Sequence, residues 1–159
     1  MRIGFGYDSH RMVAGRSLII GGREIPHEKG LLGHSDADVL LHAVCDAILG
    51  AIGEGDMGKH FPDTDQAYKD IASLKLLRIV GQLADEKGFV VNNIDSTIVL
   101  EKPKLMGYTH EMAMNIAEAI NVPHEAVNVK AKTNEGMGFV GRSEGVAAFA
   151  VVTVREKIA

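Results

Sequence analysis

The chain has 159 residues, 46% of them hydrophobic and 24% charged, with one cysteine and no tryptophan. That length is one ordinary domain, able to bury about two-thirds of its unfolded surface, with aliphatic side chains and Met filling the interior. The lone Cys45 excludes an internal disulfide, the formal charge of −4 argues against a nucleic-acid partner, and no run of about 18 apolar residues is present to span a membrane.

The opening segment MRIGFGYDSH carries Asp8 and lacks the apolar core of a secretory leader, so we expect a cytoplasmic protein. No linker, repeat or low-complexity tract divides the chain, and residues 1–159 read as a single domain. Arg2–Tyr7 is a predicted strand. Leu18–Ile20 and Arg23–Ile25 flank Gly21-Gly22, a hairpin signal. Glycine-rich Gly30–Gly33 leads to a helix over about Asp36–Gly50, with Ser35 as the expected N-cap and Asp38 three residues on.

Gly53–Asp65 reads as a loop. Asp70–Lys87 has Ile71, Leu74, Leu77, Val80 and Leu83 at helical spacing, with Gly88 past the end. Phe89–Leu100 is a strand region, and Thr109 can cap a third helix running to about Asn121. Ala126–Lys132 and the apolar Val146–Arg155 are the last strands, separated by the glycine-rich Thr133–Gly145 loop. The expected architecture is α+β: one mixed sheet with helices packed on one face.

Asp8-Ser9-His10 is the sharpest local signal, because residues i and i+2 of an extended chain point to one face and can meet one ion. Taken alone, the motif reads better as a polar turn after the first strand. The following helix changes the balance. Apart from the thiol of Cys45, its polar side chains from Asp38 to Ile52 are Asp38, His42 and Asp46, at i, i+4 and i+8. Such a stripe on a buried helix needs a metal, a charge partner or a wet cleft. Either these residues pair with Lys or Arg, or His42 joins Asp8 and His10 in the open, two-histidine, one-carboxylate arrangement of a catalytic zinc.

His34 stands beside Ser35 and a helix N-terminus, where unpaired N–H groups favour anions; it is equally readable as a loop histidine bonded to backbone. In Lys130–Gly136, Thr133 can donate to a phosphate, Lys132 or Arg142 can neutralise one, and Glu135 offers a hard oxygen ligand suited to magnesium or manganese. The same glycines also serve tight turns. The carboxylates of Asp56, Asp63 and Asp65 fit hydroxyl recognition, metal binding or plain solvation.

Several blocks together resemble the 2-C-methyl-D-erythritol 2,4-cyclodiphosphate synthase family of non-mevalonate isoprenoid biosynthesis. They are Gly4–His10, Gly33–Val39, Gly55–Gly58, Phe61–Asp65, Pro103–Leu105, Lys130–Glu135 and Gly138–Gly145, in the family's order and spacing. The resemblance implies Asp8, His10 and His42 as zinc ligands, one ion per subunit, with Glu135 holding a second divalent cation, magnesium or manganese, against the substrate's diphosphate. It implies His34 and Thr133 as transition-state stabilisers and Ser35 as a phosphate contact. Asp56, Gly58, Phe61, Pro62, Asp63, Thr64 and Asp65 would take the methylerythritol end. Leu100, Pro103, Lys104, Leu105 and Met106, with Ala131 and Lys132, would take the cytidine.

The implied reaction is attack of the substrate's 2-phosphate on the β-phosphorus of its own CDP group, releasing CMP and a cyclic diphosphate. The implied assembly is a homotrimer with active sites between subunits. Phe139 and Arg142 are further implied substrate-binding residues, and Arg142 and Glu144 fall where the family lines a cavity along the trimer axis, a candidate seat for an isoprenoid diphosphate. Lys132 and Asn134 depart from the family's commoner threonine, and Phe5 and Phe149 border the axial cavity. No fused cytidylyltransferase domain is expected. Two other readings fit the same residues: a zinc-dependent nucleotide pyrophosphatase using water as nucleophile, and a non-catalytic metal-stabilised trimer that binds an isoprenoid diphosphate.

Overall fold

The structure is a computed structural model and describes residues 1–158. Twelve elements follow one another among the described residues: β1 Arg2–Ala14, β2 Leu18–Ile20, β3 Arg23–Ile25, β4 Lys29–Leu31, α1 Val39–Ile52, α2 Met57–His60, α3 Ser73–Glu86, β5 Phe89–Val99, α4 Thr109–Ala119, β6 Val127–Lys132, α5 Gly138–Gly141 and β7 Gly145–Glu156, with short 3₁₀ turns at Gln66–Tyr68 and His124–Ala126. The main sheet has the order β4-β1-β7-β5-β6 and is mixed: β5 and β6 are parallel, and the other pairs are antiparallel. The α+β expectation holds, with one addition: β2 and β3 form a separate two-stranded ribbon. Both residues of its Gly21-Gly22 turn have positive φ, +62° and +71°, the conformation such a tight hairpin demands.

Several boundaries shift, each for a local reason. β1 continues seven residues beyond Tyr7 because β7 pairs with it as far as Arg11 and β4 takes over from Met12. Asp8-Ser9-His10 therefore lies inside a strand and is not a turn. The first helix begins at Val39, capped by Asp38, whose side chain accepts from Leu41 N. Ser35 lies outside it, because Ala37 adopts a left-handed φ of +58° and breaks the run between them. α3 begins at Ser73 instead of Asp70, where φ is +55°. Thr109 is the first residue of α4 and not its cap: Tyr108 occupies the cap position with no side-chain bond.

α1, α3 and α4 cover one face of the sheet. In β1, Gly4, Gly6, Asp8, His10 and Met12 point toward that layer, while Ile3, Phe5 and Tyr7 point away and stay exposed. The two glycines set the spacing. A Cβ on Gly4 would stand 1.8 Å from the Ala47 carbonyl oxygen, and one on Gly6 would stand 1.9 Å from that of Ala43. Only a strand bare at these positions lets α1 lie this close. Eleven of the fourteen α1 residues are buried, so the helix is the core's centre and its side-chain positions are fixed from all sides. Among the described residues no helix is long and apolar enough to cross a membrane.

A candidate metal centre in a cleft between strand and helix

The close seating of α1 on β1 brings three donor atoms together. Asp8 Oδ2 lies 2.8 Å from His10 Nε2 and 3.0 Å from His42 Nδ1, and the two imidazole nitrogens are 3.1 Å apart. Among the described residues Asp8, His10 and His42 form a group able to hold a metal ion. A tetrahedral ion with bonds of about 2.1 Å needs donors about 3.4 Å apart, so this triangle need open by only a few tenths of an ångström. The donor set also fits: two imidazoles and one carboxylate, with the fourth direction facing a cleft.

The charges agree with that use. Burial works to raise the Asp8 carboxyl, but the hydrogen bonds from His10 and His42 outweigh it and hold it at about 2, so the oxygen is anionic. Burial works to lower His10, yet the hydrogen bond and charge of Asp8 leave it raised. The far nitrogens of both rings are engaged. His10 Nδ1 donates to the Leu32 carbonyl at 2.9 Å, while His42 Nε2 lies 2.9 Å from Ser73 Oγ and 3.1 Å from Ser35 Oγ.

The cleft holds about 560 Å³, and its walls include Asp8, His10, His34, Ser35, His42, Asp46, Gly58, Phe61, Pro62 and Asp63. His34 Nε2–H donates to the Asp65 carbonyl at 3.1 Å and so joins the two loops that form the rim. Asp56 caps α2 through Lys59 N, and Asp65 caps the following 3₁₀ turn; Thr64 and Asp65 are exposed at the cleft edge. Asp46 accepts from Met57 N at 2.7 Å, anchoring this loop to α1.

The polar stripe on α1 thus divides among three partners. Asp38 is fully buried and accepts from Gly21 N, Gly22 N and Leu41 N, so backbone amides and not Lys or Arg are its partners. Burial nevertheless raises its carboxyl to about 6. His42 faces the donor triangle, and Asp46 faces the loop.

The remaining predicted residues lie elsewhere in the chain. Leu100, Pro103, Lys104, Leu105, Met106, Ala131, Lys132, Thr133, Glu135, Phe139 and Arg142 do not line this cleft. Leu100 and Leu105 are core side chains, so only their backbone could meet a ligand, whereas Met106 is exposed. Thr133 Oγ1 donates to Glu135 Oε1 at 3.3 Å, and Arg142 forms a two-pronged ion pair with Glu144 at 2.9 and 3.2 Å. Register gives their separation from the triad. Lys132 pairs with Val99, Val99 with Ala147, and Ala147 with Ser9. Three strand spacings, about 14 Å, therefore lie between the end of β6 and the Asp8–His10 segment.

Sequence reading passed over Asp36 and Ser73. The sequence places Ser73 inside the helix predicted over Asp70–Lys87, and nothing in the spacing joins it to a residue 37 positions earlier.

Residues 1–155 match the YgbB family model. The chain is 61% identical over 156 residues to the 2-C-methyl-D-erythritol 2,4-cyclodiphosphate synthase of Syntrophus aciditrophicus, covering 98% of each chain. It is 60% identical over 158 residues to that of Alkaliphilus metalliredigens, covering 99% of each. A solved structure of IspF from Plasmodium falciparum, a CDP complex, superposes with a TM-score of 0.87 at 31% identity, covering 99% of this chain and 97% of that one. The chain therefore belongs to the YgbB family, that of the 2-C-methyl-D-erythritol 2,4-cyclodiphosphate synthases.

Proposed function

We propose that the chain, acting as one unit over residues 1–159, converts 4-diphosphocytidyl-2-C-methyl-D-erythritol 2-phosphate to 2-C-methyl-D-erythritol 2,4-cyclodiphosphate and CMP. The observation that carries this reading is the convergence of Asp8, His10 and His42 on one wall of the cleft, in a chain aligned over nearly its whole length with synthases of that name.

The 2-phosphate attacks the β-phosphorus, a new P–O bond forms, and the bond to CMP breaks. No protein nucleophile is needed, and phosphoryl transfer rests mainly on positioning and charge stabilisation. Two anionic groups must approach each other as water leaves, which raises their repulsion. Asp8, His10 and His42 would hold a zinc ion, and Glu135 a magnesium or manganese ion; such ions supply Lewis-acid charge for the phosphate oxygens. His34, fixed through Nε2–H to the Asp65 carbonyl, sits at the rim where the reacting phosphates enter. The loop anchored by Asp46, with Asp56, Gly58 and Phe61–Asp65, takes the sugar-alcohol end. Backbone groups of Leu100–Met106, with Ala131 and Lys132, take the cytosine.

We infer further that the working species is a homotrimer. A cation held by Glu135 must touch the same diphosphate as the ion held by His42, yet about 14 Å of sheet separates the two in one chain. A neighbouring copy that brings its Thr133–Glu135 loop to this cleft removes that gap. The outer sheet face supports such packing: Ile3 is 70% exposed and Phe5 63%, beside Tyr7, Phe149 and Val151. An isoprenoid diphosphate is the proposed occupant of the axial cavity near Arg142 and Glu144, and the cytoplasm the proposed location.

Product analysis tests the reaction. Wild-type protein with zinc and magnesium should release CMP together with a cyclic diphosphate, and His42→Ala should release neither. Acyclic phosphates from the wild type would instead make the enzyme a pyrophosphatase.

A further inference from the structure

We propose that Glu101 is a positioning residue that clamps the Thr133–Glu135 loop to the nucleotide loop, so that the second cation and the cytidine are held as one unit. This deepens the proposed function, and it rests on Glu135 as the ligand of that cation and on Leu100–Met106 as the cytidine seat.

The sheet brings the two loops together. β5 and β6 run parallel and stop side by side: Val99 pairs with Lys132, and Leu100 N donates to the Lys132 carbonyl at 2.9 Å. Both chains therefore leave the sheet at one edge. Leu100 and Leu105 are buried and pin the nucleotide loop to the core. Between them in sequence, the half-buried Glu101 reaches across to the other loop. Its Oε1 accepts from Asn134 N at 2.7 Å and from Gly136 N at 3.4 Å. Two amides that converge on one oxygen form an anion seat, and here the protein's own carboxylate fills it.

Glu135 is the residue between those two amides. Its φ is +51°, a left-handed conformation that costs a residue with a side chain, and Gly136 follows at +74°. One side of the turn is closed by Met137 N donating to the Asn134 carbonyl at 2.9 Å and by Asn134 Nδ2 donating to the Met137 carbonyl at 2.8 Å. Glu101 holds the other side. The Glu135 carboxylate accepts from Thr133 Oγ1 at 3.3 Å, and both residues are exposed, so the backbone turn sets where these side chains point. Because Glu101 Oε1 occupies the two amides, an incoming phosphate must be met by Thr133 and by a cation on Glu135. A displacement of the nucleotide loop passes through Glu101 to that ligand.

The test compares Glu101→Ala with Glu101→Gln in the full chain, with CDP and Mg²⁺ as probes. Glutamine keeps an acceptor oxygen at the same reach and loses the charge. Amide hydrogen exchange at Asn134, followed without CDP or Mg²⁺, should be several-fold faster in the alanine variant and close to wild type in the glutamine variant. The Mg²⁺ concentration that half-saturates CDP binding in calorimetry should rise roughly 10–100-fold in Glu101→Ala, as loss of a group that orients a metal ligand does, and stay within about twofold of wild type in Glu101→Gln. If Glu101→Ala does not fold by circular dichroism, Glu101→Asp, one methylene shorter, replaces it with the same expected changes. Unchanged Mg²⁺ dependence in the folded variant overturns the inference, and so does unchanged exchange at Asn134. Glutamine as damaging as alanine also overturns it, by making the Glu101 charge a direct ligand of the cation. A wild type that binds no CDP at any Mg²⁺ concentration sinks the proposed function instead, while exchange at Asn134 still decides whether Glu101 holds the loop.

Discussion

Gly6→Ala adds one carbon at the strand–helix contact beside His42. The added Cβ would stand 1.9 Å from the Ala43 carbonyl oxygen, a backbone atom of α1 that cannot rotate away. Carbon–oxygen contacts settle near 3.3 Å at the closest, so α1 must withdraw by about 1.4 Å or β1 must buckle by as much. Overpacking of a rigid core costs about 3 kcal/mol at the upper end of the usual range, and two backbones in contact belong at that end. His42 is next to Ala43, so the same shift would lengthen its contacts with Asp8 and His10 from 3.0 and 3.1 Å to more than about 4 Å, beyond the reach of one small ion. Urea unfolding and zinc content per chain measure the two effects. Gly50→Ala is the control: it lies in the same helix with nothing within 4 Å of its would-be Cβ, and there Ala should stabilise by about 1 kcal/mol. A Gly6→Ala protein that unfolds like the wild type and retains its zinc would refute the view that strand–helix contact builds the site.

The fully buried Asp38 carboxyl is raised from 3.8 to about 6, so its stabilising contribution is complete below pH 4 and is lost as pH rises through 6. That gap corresponds to about 3 kcal/mol, and the stability advantage of wild type over Asp38→Ser should grow by that order between pH 7 and pH 4 in urea titrations; a pH-independent difference would remove the buried-carboxylate explanation. Phe5→Lys should turn the assembly into monomers by light scattering and abolish turnover while leaving zinc binding intact, since the triad lies within one chain; full turnover by a verified monomer would contradict the shared-site reading. Asp46→Ala leaves Met57 N–H without its acceptor and should destabilise the protein by about 1–3 kcal/mol. In that variant the Gly53–Asp65 loop should exchange its amide hydrogens faster, and an unchanged exchange pattern would count against the anchor.

The parts of the fold that read directly from sequence are those governed by periodicity and glycine. The Gly21-Gly22 hairpin, the apolar last strand and the second helix were legible because local rules decide them. The Asp8–His10–His42 triad is half legible: strand alternation pairs Asp8 with His10, but the distance from β1 to His42 depends on Gly4 and Gly6 having no side chain beneath α1. The sequence points to Ser35 as the cap because the turn at Ala37 leaves no local signature strong enough to move the cap to Asp38. Asp38 looked like a metal or ion-pair candidate because its actual partners are amides of a hairpin turn sixteen and seventeen residues away. Such long-range backbone partners carry no residue-type signal.

X-ray absorption at the zinc edge of the loaded wild type tests the centre most directly. The expected result is a shell of light atoms at about 2.0–2.2 Å with two imidazole signatures, one of which disappears in His42→Ala. A shell without imidazole, or one that His42→Ala leaves unchanged, would contradict it.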